Sequence, residues 1–301
     1  MRSHFTPASV RKTTLRSHFI SGAAIACAVT GATAMMPNTG AAQAYDSASS
    51  YGSWTAGSSG GSGFGAWSFN GTVDPGGASN PGDQQALSSA GAIGTAWTLF
   101  NLAPILNDEG ISTVGRGITE AGGLQVGQTF ETVIQTPHTY PGSAFYYGGY
   151  TGWDFILGNA SDNNPAGNNT AALRINVFNY FNNALNWSGI DSGNFGMSPL
   201  TGSSTAVAGA KIDFTLTSAT TYSLTVTRLS DNVVFTHSGT LGSSTPIDYV
   251  NYRLYNGTGS AGPNDTANNL GISYMEIVPE PASMALLGLG LGSLVLFRRR
   301  K

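Results

Sequence analysis

The chain has 301 residues, which is enough to bury a sizeable core, and only 10% of them are charged. Between Asp46 and Glu280 it carries all 16 acidic residues but only five of the 13 basic ones, so this part would be repelled by nucleic acid. Its single cysteine, Cys27, lies in the first apolar run, which excludes disulfides and cysteine-based metal sites from the rest of the chain.

Residues 1–44 are predicted to form a signal peptide. A basic region is followed by an apolar stretch from about 19 to 36 and then by small residues at Ala42 and Ala44, the order that signal peptides have. Export by the Sec translocon and cleavage by signal peptidase after Ala44 would leave Tyr45 at the new terminus. Two alternatives remain open, namely a retained membrane anchor and a lipoprotein signal that is acylated at its cysteine.

The body of the chain follows this segment. Residues 45–63 are rich in glycine and serine and predict a flexible leading segment or the approach to a first strand. Residues 64–278 contain short alternating runs separated by turn residues, without repeats and without a sustained helical period. So many strands in one domain predict an all-β antiparallel sandwich or jelly roll, because strand edges must be covered or closed.

Nine strands are predicted most clearly. In one of them, Lys211–Thr217, apolar and polar residues alternate as they do in a half-buried antiparallel strand. One short helix is also predicted, at Asp83–Ala92, with Asp83 as its N-cap. The nine strands are Ala96–Leu102, Gln128–Gln135, Trp153–Leu157, Leu173–Tyr180, Lys211–Thr217, Tyr222–Leu229, Val233–Gly239, Asp248–Tyr255 and Gly271–Val278.

Aromatic residues gather among glycines from Tyr140 to Trp153. Sugars bind on aromatic rings whose apolar faces match their C–H groups, so this stretch predicts a glycan site. The alternative is that the rings pack in the core of the sandwich. The glycan-binding candidates are Tyr146, Tyr147, Tyr150, Trp153 and Trp187.

Two loops rich in asparagine offer oxygen ligands that calcium prefers. The first, Asn159–Thr170, contains Asp162, and the second contains Asp265. One carboxylate in each loop is too little for a tight site, and asparagine-rich turns are ordinary. The sequence therefore predicts no metal and no cofactor, with Asp162 and Asp265 as weak calcium candidates.

The end of the chain has three parts in a fixed order. A Pro-Glu-Pro box precedes an apolar run at 282–297, which could span a membrane as a single helix, and a basic tail at 298–301. The basic tail would stay in the cytoplasm, which places the body outside. The residues that define this segment, 279–301, are Pro279, Glu280, Pro281, Arg298, Arg299 and Arg300.

This order closely resembles the PEP-CTERM sorting signal of Gram-negative bacteria that make extracellular polysaccharide. The resemblance implies export, membrane anchoring through the C-terminal helix during sorting, and recognition by an exosortase near the box. It also implies a final location at the cell surface or in the extracellular matrix. The prolines prevent the helix from extending into the box, so the box is predicted to be extended and reachable.

A second resemblance covers the body from Phe64 to Val278. The order of "GFGAWSF", "AWTLFNL", "GWDFILGNA" and "LGISYMEI" is similar to the concanavalin A-like lectin and glucanase jelly roll. Glucanases of this fold carry a Glu-x-Asp-x-x-Glu strand, and no such triplet occurs in this chain.

Other catalytic signals are equally sparse. His138 and His237 are the only histidines after the signal peptide, and no nucleophile, zinc or phosphate-binding motif appears. The prediction is a non-enzymatic exported protein with a structural, adhesive or weak carbohydrate-binding role in exopolysaccharide or biofilm. The alternative is a polysaccharide-active hydrolase or lyase with an atypical carboxylate pair, for which Asp154 and Asp213 are the first candidates.

Overall fold

The computed structural model describes residues 43–72, 84–90, 93–100, 111–135, 151–160, 172–179, 185–200, 209–243, 246–255 and 269–279. The described chain forms 15 strands. They are β1 Ala44–Ser47, β2 Ser68–Thr72, β3 Gln84–Ala90, β4 Gly94–Phe100, β5 Ile111–Gly117, β6 Gln128–Gln135, β7 Thr151–Gly158, β8 Leu173–Asn179, β9 Leu185–Ile190, β10 Asn194–Gly196, β11 Ala210–Leu216, β12 Thr221–Arg228, β13 Val234–Thr240, β14 Tyr249–Tyr255 and β15 Leu270–Pro279. Single 3₁₀ turns lie at Ala48–Ser50, Glu120–Gly122 and Ser198–Leu200.

The strands form two antiparallel sheets. The first sheet has the order β13-β12-β11-β6-β15-β4-β3, and β1 also pairs with β15. The second sheet has the order β10-β9-β8-β7-β14-β5-β2. This is the predicted all-β antiparallel sandwich. All nine predicted strands are confirmed, and each observed end lies within two residues of its predicted position.

One apolar core lies between the sheets. In β11 the residues Ile212, Phe214 and Leu216 are buried in it, while the residues between them face solvent, as the alternation predicts. Phe130 of the first sheet stacks on Phe155 of the second with ring centroids 5.9 Å apart. The inner faces of both sheets therefore share this core.

The predicted helix at Asp83–Ala92 is wrong, because residues 84–90 form strand β3. The local sequence contains Gln, Ala and Leu, which favour a helix. In the folded chain β3 pairs along its whole length with β4, and Leu87 lies opposite the buried Trp97. Pairing between strands and burial thus override the local preference.

The leading segment at 45–63 takes part in the sandwich. Ala44–Ser47 pairs with β15, and Trp54 is buried with its ring against Trp67 at a centroid distance of 5.2 Å. The start of this segment therefore forms the first strand of the sandwich. The predicted cleavage point after Ala44 lies inside β1, and the rest of the predicted signal peptide, apart from Gln43, lies outside the described residues.

Candidate functional site

The face of the second sheet that points away from the core carries polar side chains. In β7 the residues Trp153, Phe155 and Leu157 are all buried in the core. Side chains alternate along a strand, so Asp154 points to the opposite, outer side of the sheet. The same alternation in β14 puts Asn251 on the outer side too.

Five of these outward side chains lie opposite one another on five neighbouring strands, and we call them the polar row. From β5 to β9 they are Thr113, Arg253, Asp154, Asn176 and Ser188. Four steps between strands of about 4.8 Å give the row a length of about 19 Å. The row thus crosses the sheet at right angles to the strands, and its first four members are each at most 8% exposed.

Hydrogen bonds fix several members of the row. The Nη2 atom of Arg174, on the same face, lies 2.7 Å from Oδ2 of Asp154 in an ion pair. The hydroxyl of Ser188 donates to Oδ1 of Asn176 at 2.6 Å. Asp154 is fully buried, so its orientation is set by contacts within the protein and not by water. The polar groups on this face are therefore held in place before any ligand binds.

Two oxygens on this face have no hydrogen-bond partner. Oγ1 of Thr113 and Oδ1 of Asn251 are buried, and within the described part of the chain neither accepts nor donates a hydrogen bond. The two residues are only 2% and 5% exposed. A buried polar atom without a partner costs about 1–3 kcal/mol, so such atoms are rare unless water or a ligand satisfies them.

The structure places the two tryptophans that were predicted to bind glycans in the core. Trp153 is fully buried and Trp187 is 5% exposed, and their rings pack edge to face at 5.3 Å. Both lie at inward positions of their strands, so both rings pack in the core between the sheets, which is the alternative that the sequence left open. Tyr146, Tyr147 and Tyr150 lie outside the described residues.

The two aspartates proposed as a catalytic pair are far from each other in the fold. Asp154 lies on the outer face of the second sheet, whereas Asp213 lies on the outer face of the first, because Ile212 and Phe214 beside it point into the core. The core of the sandwich separates the two carboxyl groups. Asp154 and Asp213 therefore cannot act on the same glycosidic bond, so they are not a catalytic pair.

Asp213 has acidic neighbours of its own, which we call the acidic row. It lies opposite Glu131 of β6, which in turn lies opposite Glu276 of β15. Nζ of Lys211 lies 2.7 Å from Oε2 of Glu131 and 3.2 Å from Oδ1 of Asp213. The hydroxyl of Tyr274 donates to Oε1 of Glu131. The row is therefore a network of shared hydrogen bonds on a half-buried surface.

The pKa values of the two central carboxyl groups move in opposite directions. Burial, and then the hydrogen bond with Glu131, raises the pKa of Asp213 to about 6. Burial also acts to raise the pKa of Glu131, but hydrogen bonds from Lys211 and Tyr274 outweigh it and lower that pKa. Both carboxyl groups contact Nζ of Lys211, at 2.7 and 3.2 Å, so they lie side by side on this face.

A third cluster closes one edge of the sandwich. The hydroxyl of Tyr222 donates to Oδ2 of Asp191 at 2.8 Å, and Nε2 of His237 lies 3.4 Å from the same oxygen. The His237 ring stacks on Phe195 at 3.9 Å. These contacts join strands β12 and β13 to the turn between β9 and β10. Sequence reasoning placed His237 only near a strand end, because no local pattern reveals a contact over 46 residues.

The metal prediction can be compared with only part of the chain. Among the residues that the structure describes, no group of three or more His, Cys, Asp or Glu side chains could hold a metal ion. The two weak calcium candidates, Asp162 and Asp265, lie outside those residues.

The sorting segment is described only at its start. Pro279 is the last residue of β15, while Glu280, Pro281, the apolar run at 282–297 and the residues Arg298, Arg299 and Arg300 lie outside the described part. In the described ranges, no helix has the length and apolar character that a membrane span requires.

Sequence reasoning missed Thr113, Asn176 and Asn251 as site residues. Asn176 and Asn251 lie in predicted strands in which most alternate residues are apolar, and each stands between two of those apolar residues. This alternation could have shown that both side chains point away from the core. The pattern does not give the pairing of strands, which is what brings the three residues to one face.

Comparisons with known proteins confirm the sorting signal. Residues 278–301 match the PEP-CTERM protein-sorting motif, which indicates export and anchoring in the membrane before sorting. The comparison with curated proteins finds no match.

Several solved structures resemble the sandwich. A protein of unknown function from Shewanella oneidensis has a TM-score of 0.45 and 11% identity, covering 78% of this chain and 85% of its own. Lectin II from Ulex europaeus has a TM-score of 0.42 and 8% identity, and the match covers 76% of this chain and 97% of the lectin. The endo-1,3-beta-glucanase from Streptomyces sioyaensis has a TM-score of 0.40 and 15% identity, and the match covers 78% of this chain and 95% of the glucanase. These neighbours thus include a lectin and a glucanase.

Proposed function

We propose that this protein is a non-enzymatic glycan-binding protein that an exosortase sorts to the cell surface or the extracellular polysaccharide matrix. Its sandwich is a jelly roll of the concanavalin A-like kind. Its role is structural or adhesive, through weak contacts with exopolysaccharide in a biofilm. The sorting motif at 278–301 supports the export and sorting steps.

The observation that carries the binding proposal is the pair of unsatisfied oxygens beside the polar row. A sugar hydroxyl both donates and accepts a hydrogen bond, so it suits Oγ1 of Thr113 and Oδ1 of Asn251. Arg253, Asp154 and Asn176 add donors and acceptors along the same line. Buried polar groups that are fixed in advance lower the cost of ordering the site when a ligand binds.

The arrangement of carboxyl groups supports the non-enzymatic part of the proposal. The carboxyl group of Asp154 is held by Arg174, and it is the only acidic side chain of the polar row. Among the residues that the structure describes, the rival candidate, a polysaccharide hydrolase or lyase, would use Glu131 and Asp213, whose pKa values differ in the direction that acid and base roles require. The experiment below distinguishes these two activities.

The test is a glycan-array screen of the full-length protein in mild detergent, followed by an assay for reducing ends released from each glycan that binds. We expect binding without release. Thr113→Val and Asn251→Leu each remove an unsatisfied oxygen, so each should weaken binding about threefold to tenfold, the value of one neutral hydrogen bond. Neither variant loses a hydrogen bond within the protein, so both should unfold at the same urea concentration as the wild type or a higher one.

The matched control is Thr236→Val, at an exposed position of β13 on the other sheet, which should leave glycan binding unchanged. Release of reducing ends would contradict the non-enzymatic assignment. Silence on all glycans, or equal binding by the three variants, would contradict a glycan site at the polar row.

A further inference from the structure

The sorting motif begins inside the folded sandwich. Val278 and Pro279 are the first two residues of the motif, and they are also the last two residues of β15. Val278 lies opposite Thr129, and Pro279 lies opposite Gln128, both in β6. The start of the Pro-Glu-Pro box is therefore extended, as the prolines predict, but it is paired with another strand of the sheet.

The residues before the motif hold β15 firmly. Ile277 is fully buried, and its carbonyl accepts a hydrogen bond of 2.8 Å from the backbone N–H of Gln43 beside β1. Met275, two residues earlier, is also fully buried. Val278 and Pro279 are only half buried, and β1 does not extend far enough to pair with them. The end of β15 can therefore open by two residues without exposing the core.

Very little chain separates this strand end from the membrane segment. Only Glu280 and Pro281 lie between Pro279 and Ala282, where the apolar run begins. Three residues span at most about 10 Å when they are fully extended. While the apolar run is in the membrane, the end of the sandwich that holds Pro279 and Gln128 therefore lies close to the membrane surface.

An enzyme that binds an extended peptide needs the backbone of that peptide. Such peptides are held by hydrogen bonds to their N–H and C=O groups along a strand edge. In the folded protein, β6 occupies one edge of Val278 and Pro279, and an enzyme cleft that encloses an extended peptide on both sides cannot close around a strand paired in this way. The sandwich and the enzyme thus compete for the same short piece of chain.

We infer that the exosortase can hold the Pro-Glu-Pro box only after Val278 and Pro279 have left β6, so the stability of this strand end controls sorting. The inference rests on recognition by an exosortase, as proposed above, and is independent of glycan binding. It makes folding of the body and recognition of its tail two coupled events.

A reversible lock provides the first test. Directly opposite residues in antiparallel strands have Cα atoms about 4.5–5.5 Å apart, which suits a disulfide. We would combine Thr129→Cys and Val278→Cys with Cys27→Ser in the full-length chain, and measure how much exosortase of the source organism copurifies in detergent. The oxidised form should lose most of the bound exosortase, and reduction should restore it, which also controls for the Val278 substitution.

The control lock is Ser223→Cys with Ser238→Cys, which joins β12 to β13, and β12 lies two strands beyond β6 in the sheet. Its oxidation should leave the recovery of exosortase unchanged. Equal recovery from the oxidised and the reduced forms of the first lock would overturn the inference.

Two insertions provide the second test. Gly-Ser-Gly-Ser between Val278 and Pro279 moves the box away from β6, and should raise the bound exosortase about fivefold, the factor of one backbone hydrogen bond. The same insertion between Pro281 and Ala282 leaves Pro279 paired and should give no gain. Equal recovery from both insertions would overturn the inference. No recovery from any form, including the first insertion, would overturn exosortase recognition itself.

Discussion

Asp46 and Arg116 form a buried ion pair that joins the two sheets. Asp46 lies in β1 and Arg116 in β5, and neither side chain is exposed. The hydroxyl of Tyr51 donates to Asp46 Oδ2 at 2.6 Å, and Nε of Arg116 donates to the carbonyl of Gly65 at 2.9 Å. The guanidinium group also lies 5.0 Å from the ring centre of Trp67. Each charge therefore has several partners in place of water.

We expect Arg116→Ala to lower the free energy of unfolding by about 3–5 kcal/mol, because it leaves the buried carboxylate of Asp46 without its counter-charge. Urea denaturation followed by tryptophan fluorescence measures this loss. The control is Asp231→Asn, which breaks an exposed pair with Arg228 and should change stability little. An Arg116 variant as stable as this control would show that the buried pair does not hold the sheets together.

The acidic row predicts how stability depends on pH. The pKa of Asp213 is raised from 3.8 to about 6, so its protonated form is favoured by folding. Its contribution is complete below pH 3.8 and is lost as the pH rises through 6. Asp213→Asn stays neutral at every pH, so its melting temperature relative to the wild type should rise between pH 4 and pH 7.

Glu131→Gln should show the opposite trend, at pH values around and below 4.5. The pKa of Glu131 is lowered from 4.5, so its contribution is present above that pH and is lost as the pH falls. The melting temperature of this variant relative to the wild type should therefore fall as the pH rises. Parallel curves for the two variants, measured by differential scanning calorimetry, would be inconsistent with the shared hydrogen bonds of the row.

At the scale of elements, the hairpin of β3 and β4 depends on one glycine. Gly94 has a φ of +77° where β4 begins, and an added Cβ would meet nothing within 4 Å. Gly94→Ala should therefore cost about 1–2 kcal/mol through backbone strain alone. Gly52 has equal space and no positive φ, so Gly52→Ala is the matched control and should be neutral or slightly stabilising in urea denaturation. Equal costs would mean that the turn tolerates a side chain.

The strands were predictable where their alternation is strong, and not where it is weak. β11 alternates strictly between apolar and polar residues, and in β6 buried and partly exposed positions alternate from Gln128 to Ile134; the bounds of both strands match the prediction within one residue. β1, β3 and β10 are short or poor in large apolar residues, and only their partner strands make them regular. β3 even has a helical local preference, which pairing with β4 overrides.

At the scale of the molecule, the sequence predicted the sandwich but not which residues of different strands lie together on one face. The register of β7 decides that Trp153 is a core residue and Asp154 an outward one. A shift by one residue would exchange these roles, and no composition argument can detect such a shift. The polar row likewise consists of residues from five strands, and it exists only because those strands lie side by side.

The position of β15 also determines how the molecule bears a mechanical load. This strand is the last one in the described part of the chain, yet it lies inside its sheet, with β6 along one edge and β4 and β1 along the other. A pull on the tail acts along the axis of β15, so the hydrogen bonds to its neighbours resist together in shear instead of peeling apart one after another. Tension on the tail is therefore transmitted into the centre of the sheet. Beyond its last two residues, β15 slides out only when the bonds along both of its edges fail at once.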